Sequence, residues 1–374
     1  MSALSASISG VRSFLWRSLY GPPPRGGAIG HCETPSPKSG LAWLRLAASA
    51  LVAAALLAHP ALAEGKNQPA QIITRPITEL HIGSAETRFG PLEFVGGLEM
   101  TSAYPHFGAL SAFRFLTPGE KFMGVADTGY WYFGTIDRDT EGRPAGISDF
   151  SMEQMVDAEG QPISRKWLVD AEGLDVEDGI ATVSFERDHR IAQFRIEPGN
   201  MKSAFRTLNF LVPKAELRQN RGFETVTRAH PQGQHENALV VVSEKSLDKN
   251  GNIFAAIIEA PNKGVFTVKR RGEFDITDGA FLPNGDLLLL ESSFSMAEGV
   301  RMRLRRIYGE SIAKGSLADG PILLEADMGY QIDNMEGMDV WMRADGATMV
   351  SLVSDDNHSM LQRNLYLEFV LNDE

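Results

Sequence analysis

One short phrase recurs along this chain: GGLEM at 96–100, AEGLDV at 171–176, RGFETV at 221–226, TDGAFL at 277–282 and MEGMDV at 335–340. Each copy sets a glycine within two residues of a carboxylate (Glu99, Glu172, Glu224, Asp278, Glu336) and alternates apolar residues. Recurrence at intervals of roughly 50–75 residues is the mark of a repeat architecture, in which each unit buries its apolar face against the next.

The segments downstream of the phrase repeat as well. After the second copy come Asp178-Gly179, IATVSFE and HRIAQFRI; after the fourth, Asn284-Gly285, DLLLLESS and VRMRLRRI; after the fifth, Asp345-Gly346, ATMVSLVSDD and QRNLYLEFVL. The third has a longer first turn, then ALVVVSEK and GNIFAAIIE. Asn-Gly and Asp-Gly between alternating apolar runs predict hairpins, because the favoured two-residue turns need positive φ. A fourth strand is expected before each next phrase: ISRKWLVD at 163–170, AFRTLNFLV at 204–212, GVFTVKRRG at 264–272 and PILLEADM at 321–328. Each unit is thus a four-stranded antiparallel meander, and units of this kind arranged radially make an all-β β-propeller. The phrases count five blades; the long first interval, from 97 to 173, leaves room for a sixth. ITELHIG at 77–83 is expected to close the ring against LYLEFVL, which would remove a free sheet edge.

The N-terminus differs in kind. LAWLRLAASALVAAALLAHPALA at 41–63 places Arg45 before a short apolar run and ends in Ala61-Leu62-Ala63, a small-x-small cleavage signature. The expected organisation is a leader and signal peptide over 1–63, cleaved after Ala63, a linker over 64–75, and one propeller domain over 76–374. The destination would be periplasmic or extracellular. The apolar run is short for a membrane span, so no stable anchor is expected after cleavage. The single cysteine, Cys32, lies in the leader, which excludes disulfides, cysteine catalysis and thiolate metal sites from the mature chain. Removing the leader's five basic residues and one acidic residue takes the formal charge from −12 to −16. That excess argues against nucleic acid as a partner and suits a binder of divalent cations. A monomer acting on a small-molecule ester or phosphoester is expected.

The phrase opens the first strand of each unit, the strand that lines a propeller's central channel, where glycine lets backbones crowd together. Its carboxylates would converge at the channel mouth. A second acidic set ends each second strand: Asp127, Glu186, Glu244, Glu291 and Asp355-Asp356. Acids at the ends of buried strands are costly unless paired or metal-bound. Three readings compete: a calcium site, since hard cations take several oxygen ligands; an acid–base pair of carboxylates; or acids that bond the neighbouring blade and staple the ring. The metal reading takes Glu172, Glu186, Glu224, Glu244, Asp278, Glu291, Glu336 and Asp355 as ligands. The catalytic reading takes Glu186 with Arg187, Arg190 and Lys245, the cations neutralising an anionic substrate. Asp248-Lys-Asn250-Gly-Asn252 resembles the start of a calcium loop but is better explained as a hairpin turn. The run Arg301, Arg303, Arg305, Arg306 reads first as a solvated strand face. No Gly-x-Ser-x-Gly elbow, phosphate-binding loop or dinucleotide fingerprint is present.

The phrases DAEGLDV…VSFERDHRIAQFRI, NRGFETV…VVVSEK and NMEGMDV…LVSDDN resemble the bacterial family described as "esterase-like activity of phytase", over roughly residues 90–370. The resemblance implies a secreted protein associated with phytase and esterase activity. By analogy with phytases of propeller type it implies calcium in an acidic channel mouth. The chain departs from the pattern in its fourth unit, with Asp278 in place of glutamate, and in its first, where the spacing to Asp127 is long. The function expected is a calcium-dependent hydrolase of phosphate or carboxylic esters. Its alternatives are a non-catalytic periplasmic binding or scaffold propeller and a lactonase-like propeller enzyme with one axial calcium.

Overall fold

The computed structural model describes residues 68–218, 221–231 and 235–372. The leader, its cleavage site and the first residues of the expected linker lie outside them. The described chain forms five sheets, each a mainly antiparallel meander, the five blades of a β-propeller.

The first blade runs Leu110–Phe115, Lys121–Ala126, Tyr130–Arg138, Pro144–Gln154 from axis to rim. The second runs Ala171–Glu177, Ile180–Phe185, Arg190–Arg195, Arg206–Leu208. The third is Phe223–Arg228, Leu239–Leu247, Ile253–Glu259, Gly264–Val268, and the fourth Asp275–Phe281, Leu287–Ser295, Gly299–Ile307, Ile322–Ala326. The fifth begins with Met335–Met342, Thr348–Ser354 and Asn364–Leu371, and its outer strand is the N-terminal Leu92–Thr101. The expected hairpins form. Asp178 and Gly179 both take positive φ, at 50° and 73°, while at the other two turns only the glycines do, Gly285 at 93° and Gly346 at 88°. Asp248 accepts the amides of Asn250 and Asn252 at 2.8 Å in the turn joining two strands of the third blade.

Several expectations are corrected. GGLEM does not open a first unit; it lies in the outer strand of the fifth blade, where Gly97 faces Leu367 and Glu99 faces Leu365. The first blade's inner strand is LSAFRF, which carries no copy of the phrase, and the blade occupies the long interval that might have hidden a sixth. Closure by an N-terminal strand holds in kind but not in place: Leu92–Thr101 pairs with Asn364–Leu371, Ile73–Ile77 adds a strand outside it, and ITELHIG contributes only Ile77. Finally, 163–170 is not a strand; Lys166–Val169 is a single helical turn between blades.

At the axis the blades meet on one ion pair. Arg114, from the first blade, grips Asp278, from the fourth, through two hydrogen bonds of 2.7 and 2.9 Å. The same guanidinium donates to the carbonyls of Gly279 at 3.1 Å and Val226 at 3.3 Å, and to that of Met338. Asp278 also accepts the amides of Gly279 at 2.7 Å and Met338 at 2.8 Å. Four blades are thereby tied at one point. Glycines let the inner strands approach one another here: a Cβ at Gly173 would collide with the Glu224 carbonyl oxygen of the next blade, and one at Gly337 would stand 2.7 Å from Val353 and 3.1 Å from the Phe113 amide nitrogen.

Two outcomes are expected. Asp278→Asn leaves a buried arginine without its counter-charge and should cost about 3–5 kcal/mol in urea unfolding, whereas joint replacement by Arg114→Met and Asp278→Leu should cost less. A chain starting at residue 88 keeps the closing strand and should stay a folded monomer with lowered Tm. A chain starting at residue 102 bares the edge of Asn364–Leu371 and should aggregate in size-exclusion chromatography.

Candidate functional site

Strand register decides which acids share a site. In four inner strands the ladder to the second strand slips by one residue near its start, leaving Ser111, Glu224, Thr277 and Glu336 each unmatched. In the second blade Glu172 and Gly173 together face Ser184. Such a bulge turns a side chain out of the ladder, here toward the channel mouth. Ser111, Glu172, Glu224, Thr277 and Glu336 are therefore equivalent, and Asp278 stands one residue further on, at the position of Gly173.

The second set obeys the same logic. The amides of Asp127, Glu186, Glu244 and Asp355 donate to the carbonyls of Ala109, Asp170, Gly222 and Asn334, the residues just before each inner strand. In the fourth blade Ser292 faces Asp275, so Glu291 again falls one place off, opposite Ile276. Glu291 turns into its own blade, where it accepts from Arg305 at 2.7 Å and from Arg303 at 3.3 Å. Asp278 and Glu291, both expected as metal ligands, are thus absent from the mouth because each is shifted by one residue and neutralised by arginine. The arginine run is not a solvated face either. Arg305 is fully buried on Glu291, and Arg303 stacks 3.7 Å from the Phe274 ring centroid.

What remains is a basin of carboxylates. Ligand-capable oxygens of Asp170, Glu172 and Glu186 lie within 4.8 Å of one another, as do those of Glu186, Glu224 and Glu244, so Glu186 belongs to both groups. Glu224 is 8% exposed, and neither it nor Glu172 has a side-chain hydrogen bond or ion pair among the described residues. Burial, reinforced by neighbouring acids, holds Glu172, Glu224 and Glu336 well above the usual carboxylate range. Glu186, Glu244 and Asp355 are pushed up to about 7, by burial first. Glu336 accepts the Asn334 amide at 2.6 Å and feels Asp355, Glu244 and Asp127. Asp170 is a ligand candidate that the repeat does not mark, because the equivalent places hold Ala109, Gly222, Asp275 and Asn334.

Cations stand at the rim. Arg187 Nε is 2.6 Å from Asp170, and Lys166 Nζ is 2.7 Å from Asp127. Lys245 bonds Asp275 at 2.6 Å. Arg190 points elsewhere: it lies 3.7 Å over the Phe185 ring and caps the Leu168 carbonyl, bracing the 186–190 loop. Beneath the axial pair, on the opposite side, a cavity of about 170 Å³ holds Asp175 and Asp339, which burial raises to about 6 and about 7.

The folded protein holds these protons more tightly than the unfolded chain, which releases them near pH 4.5. The cation-free protein should therefore lose stability as pH rises from there through about 7. Melting in chelator between about pH 5 and pH 8 should give a falling Tm; a rising one would mean that the basin is neutralised by means other than protons.

The family model described as "Esterase-like activity of phytase" matches residues 105–358. Comparison with curated proteins finds no match. Similar solved structures include the endo-arabinase of Bacteroides thetaiotaomicron, 10% identical over 70% of this chain and 92% of that one, with a TM-score of 0.41. The PQQ-bound aldose sugar dehydrogenase of Streptomyces coelicolor is 12% identical over 80% of this chain and 99% of that one, with a TM-score of 0.37. Nothing about the chemistry follows from either.

Proposed function

Because the chain belongs to the family described as esterase-like activity of phytase, we propose that its basin binds a hard divalent cation, calcium, and serves the hydrolysis of phosphate or carboxylic esters. The observation that carries this reading is Glu224, buried among other carboxylates with no donor to satisfy it among the described residues. Without a cation, burial and the neighbouring acids drive such a group to take up a proton. An acid that served to staple blades would have a partner, as Asp278 and Glu291 do.

The donor set fits calcium: it is all oxygen, anionic and closely clustered. Asp170, Glu172, Glu186, Glu224 and Glu244 would hold the ion. When bound, it would polarise an ester oxygen and make a water more acidic. The chain's own groups do the rest. Asp355, outside both triads and pushed up to about 7, is placed to take and return a proton near neutral pH, with Glu336, held well above the usual carboxylate range by burial, beside it. Arg187 balances Asp170 and, half-exposed, can meet an anionic substrate. The axial pair of Arg114 and Asp278 closes the channel below, so substrate would approach from the mouth. In keeping with the leader, we also propose cleavage after Ala63 and action outside the cytoplasm, where calcium is plentiful.

Calcium should raise Tm, by mass action worth about 2.7 kcal/mol at a hundredfold excess over Kd. Glu172→Gln and Glu224→Gln should abolish most of that gain, while Glu310→Gln, on the exposed surface, should not. Ester turnover across a panel of phosphate and carboxylic esters should stop in chelator. A calcium-independent Tm, with both site variants shifted equally with and without the ion, would leave a scaffold role as the better reading.

A further inference from the structure

The mouth of the channel is not acidic all round. Glu172, Glu186 and Glu224 stand on the second and third blades, whereas the fourth adds no member to the converging carboxylates, because Asp278 and Glu291 turn away. That side is apolar. The second strand of the fourth blade runs four residues past Glu291, so its hairpin projects beyond the mouth. Phe294 on that hairpin is 65% exposed, and Met296 at its tip 94%. Met328 lies against the same hairpin, since a Cβ at Gly299 would stand 2.8 Å from its Cγ. Ile82 is held beside Met328 by its amide, which donates to the Gly329 carbonyl at 3.0 Å. The loop after Asp355 comes next: Arg363 donates to the Ile332 carbonyl and the Gln331 side chain, both at 2.9 Å, and Met360 and Leu361 before it stand almost wholly exposed. Across the basin, Trp167 is half-exposed on the helical turn whose Lys166 pairs with Asp127.

Exposed apolar side chains on four loops that touch in series form one patch, and a patch of that kind marks an interaction surface. Half of the six are methionines, which adapt to irregular apolar matter better than branched side chains do. Most stand at loop tips with little packed around them. A protein partner would need a separate hollow for each, while a fluid apolar phase accepts them all. A second copy of the chain set mouth to mouth would bring two carboxylate basins together, and like charges so placed repel. An anionic lipid surface is disfavoured on the same ground, the chain carrying a formal charge of −12. A neutral or zwitterionic lipid surface meets neither obstacle, and tryptophan favours the headgroup level of such a surface.

We propose that this rim seats the mouth on a neutral lipid–water interface, and that the substrate is a carboxylic ester of an amphiphile. This deepens the hydrolase reading and rests on it for turnover; attachment to lipid stands on the rim alone. An acyl chain that leaves a lipid phase needs apolar surface on its way. The rim of the fourth and fifth blades supplies that surface between the lipid and the carboxylates. The ester group itself carries no charge into the acidic mouth.

The full mature chain, in chelator, should co-sediment with phosphatidylcholine vesicles, and less so as phosphatidylglycerol replaces phosphatidylcholine. Trp131 and Trp341 are buried, so a blue shift of emission on binding reports Trp167, and Trp167→Phe should remove it. Met360→Ser with Leu361→Ser, or Phe294→Ser with Met296→Ser, should lower the vesicle partition coefficient about tenfold or more, given the apolar area each pair would bury. These side chains are exposed, so Tm should hold. Tyr308→Ser, exposed at the far end of the fourth blade's third strand, should bind vesicles as wild type does. In calcium, long-chain p-nitrophenyl esters in neutral micelles should turn over faster than a soluble short-chain ester, and the rim variants should lose the first activity and keep the second. An absence of vesicle binding, binding that strengthens with phosphatidylglycerol, an equal loss in Tyr308→Ser, or a wild-type dimer that the rim variants dissolve overturns the lipid surface. Vesicle binding without turnover of any ester would remove the hydrolase reading, and the substrate with it, and leave the lipid surface intact; turnover of soluble esters without vesicle binding would do the reverse.

Discussion

The propeller depends on a buried ion pair at its axis. Five inner strands crowd toward one line, and their glycines and small residues cannot by themselves fill the centre with matched polar groups. Arg114 and Asp278 do so, one from each of two non-adjacent blades, with backbone groups of two more blades satisfying the remaining valences. A pair desolvated this fully gains stability only when every donor and acceptor finds a partner. Here most of the backbone partners come from other blades, so the pair sets the spacing of the ring as well as its charge balance.

That pair also divides the channel. Above it the acids outnumber their partners; below it Asp175 and Asp339 face the same arginine across a small cavity. The acidic excess above is therefore not the general acidity of a surface. It is drawn from bulged positions of three inner strands, from Asp170 just before one of them, and from the ends of four second strands, where strand geometry forces the side chains to converge.

Much of this was legible in the sequence, for definable reasons. The second, third and fifth blades are plain because a glycine–glutamate phrase opens their inner strands and an acid ends the next strand. The first blade was hidden because Ser111 and Ala112 stand where the phrase would be. GGLEM imitated the phrase because a glycine pair next to a strand acid also suits an outer strand crossing close to its neighbour. In the fourth blade, Asp278 and Glu291 matched the pattern by residue type and missed it by one place. Register in a strand has a period of two, so that single place reverses the side chain's face. No composition argument reveals this; only the position of the bulge does. Of the cations at the mouth, Arg187 and Lys245 were legible beside the strand-end acids, whereas Lys166 was not, because it meets Asp127 from a segment 39 residues away.

The closing strand has a further consequence, for the order in which the molecule assembles. Leu92–Thr101 completes the fifth blade by pairing with Asn364–Leu371, among the last described residues of the chain. Contacts so distant in sequence form slowly, since the loop entropy must be met before the pairing rewards it. Glu336 and Asp355 belong to the same blade as that strand, while Glu172, Glu186, Glu224 and Glu244 come from blades made earlier. The repulsion that Glu336 and Asp355 add to the other carboxylates is thus deferred until that blade closes, when a completed ring is on hand to hold them together.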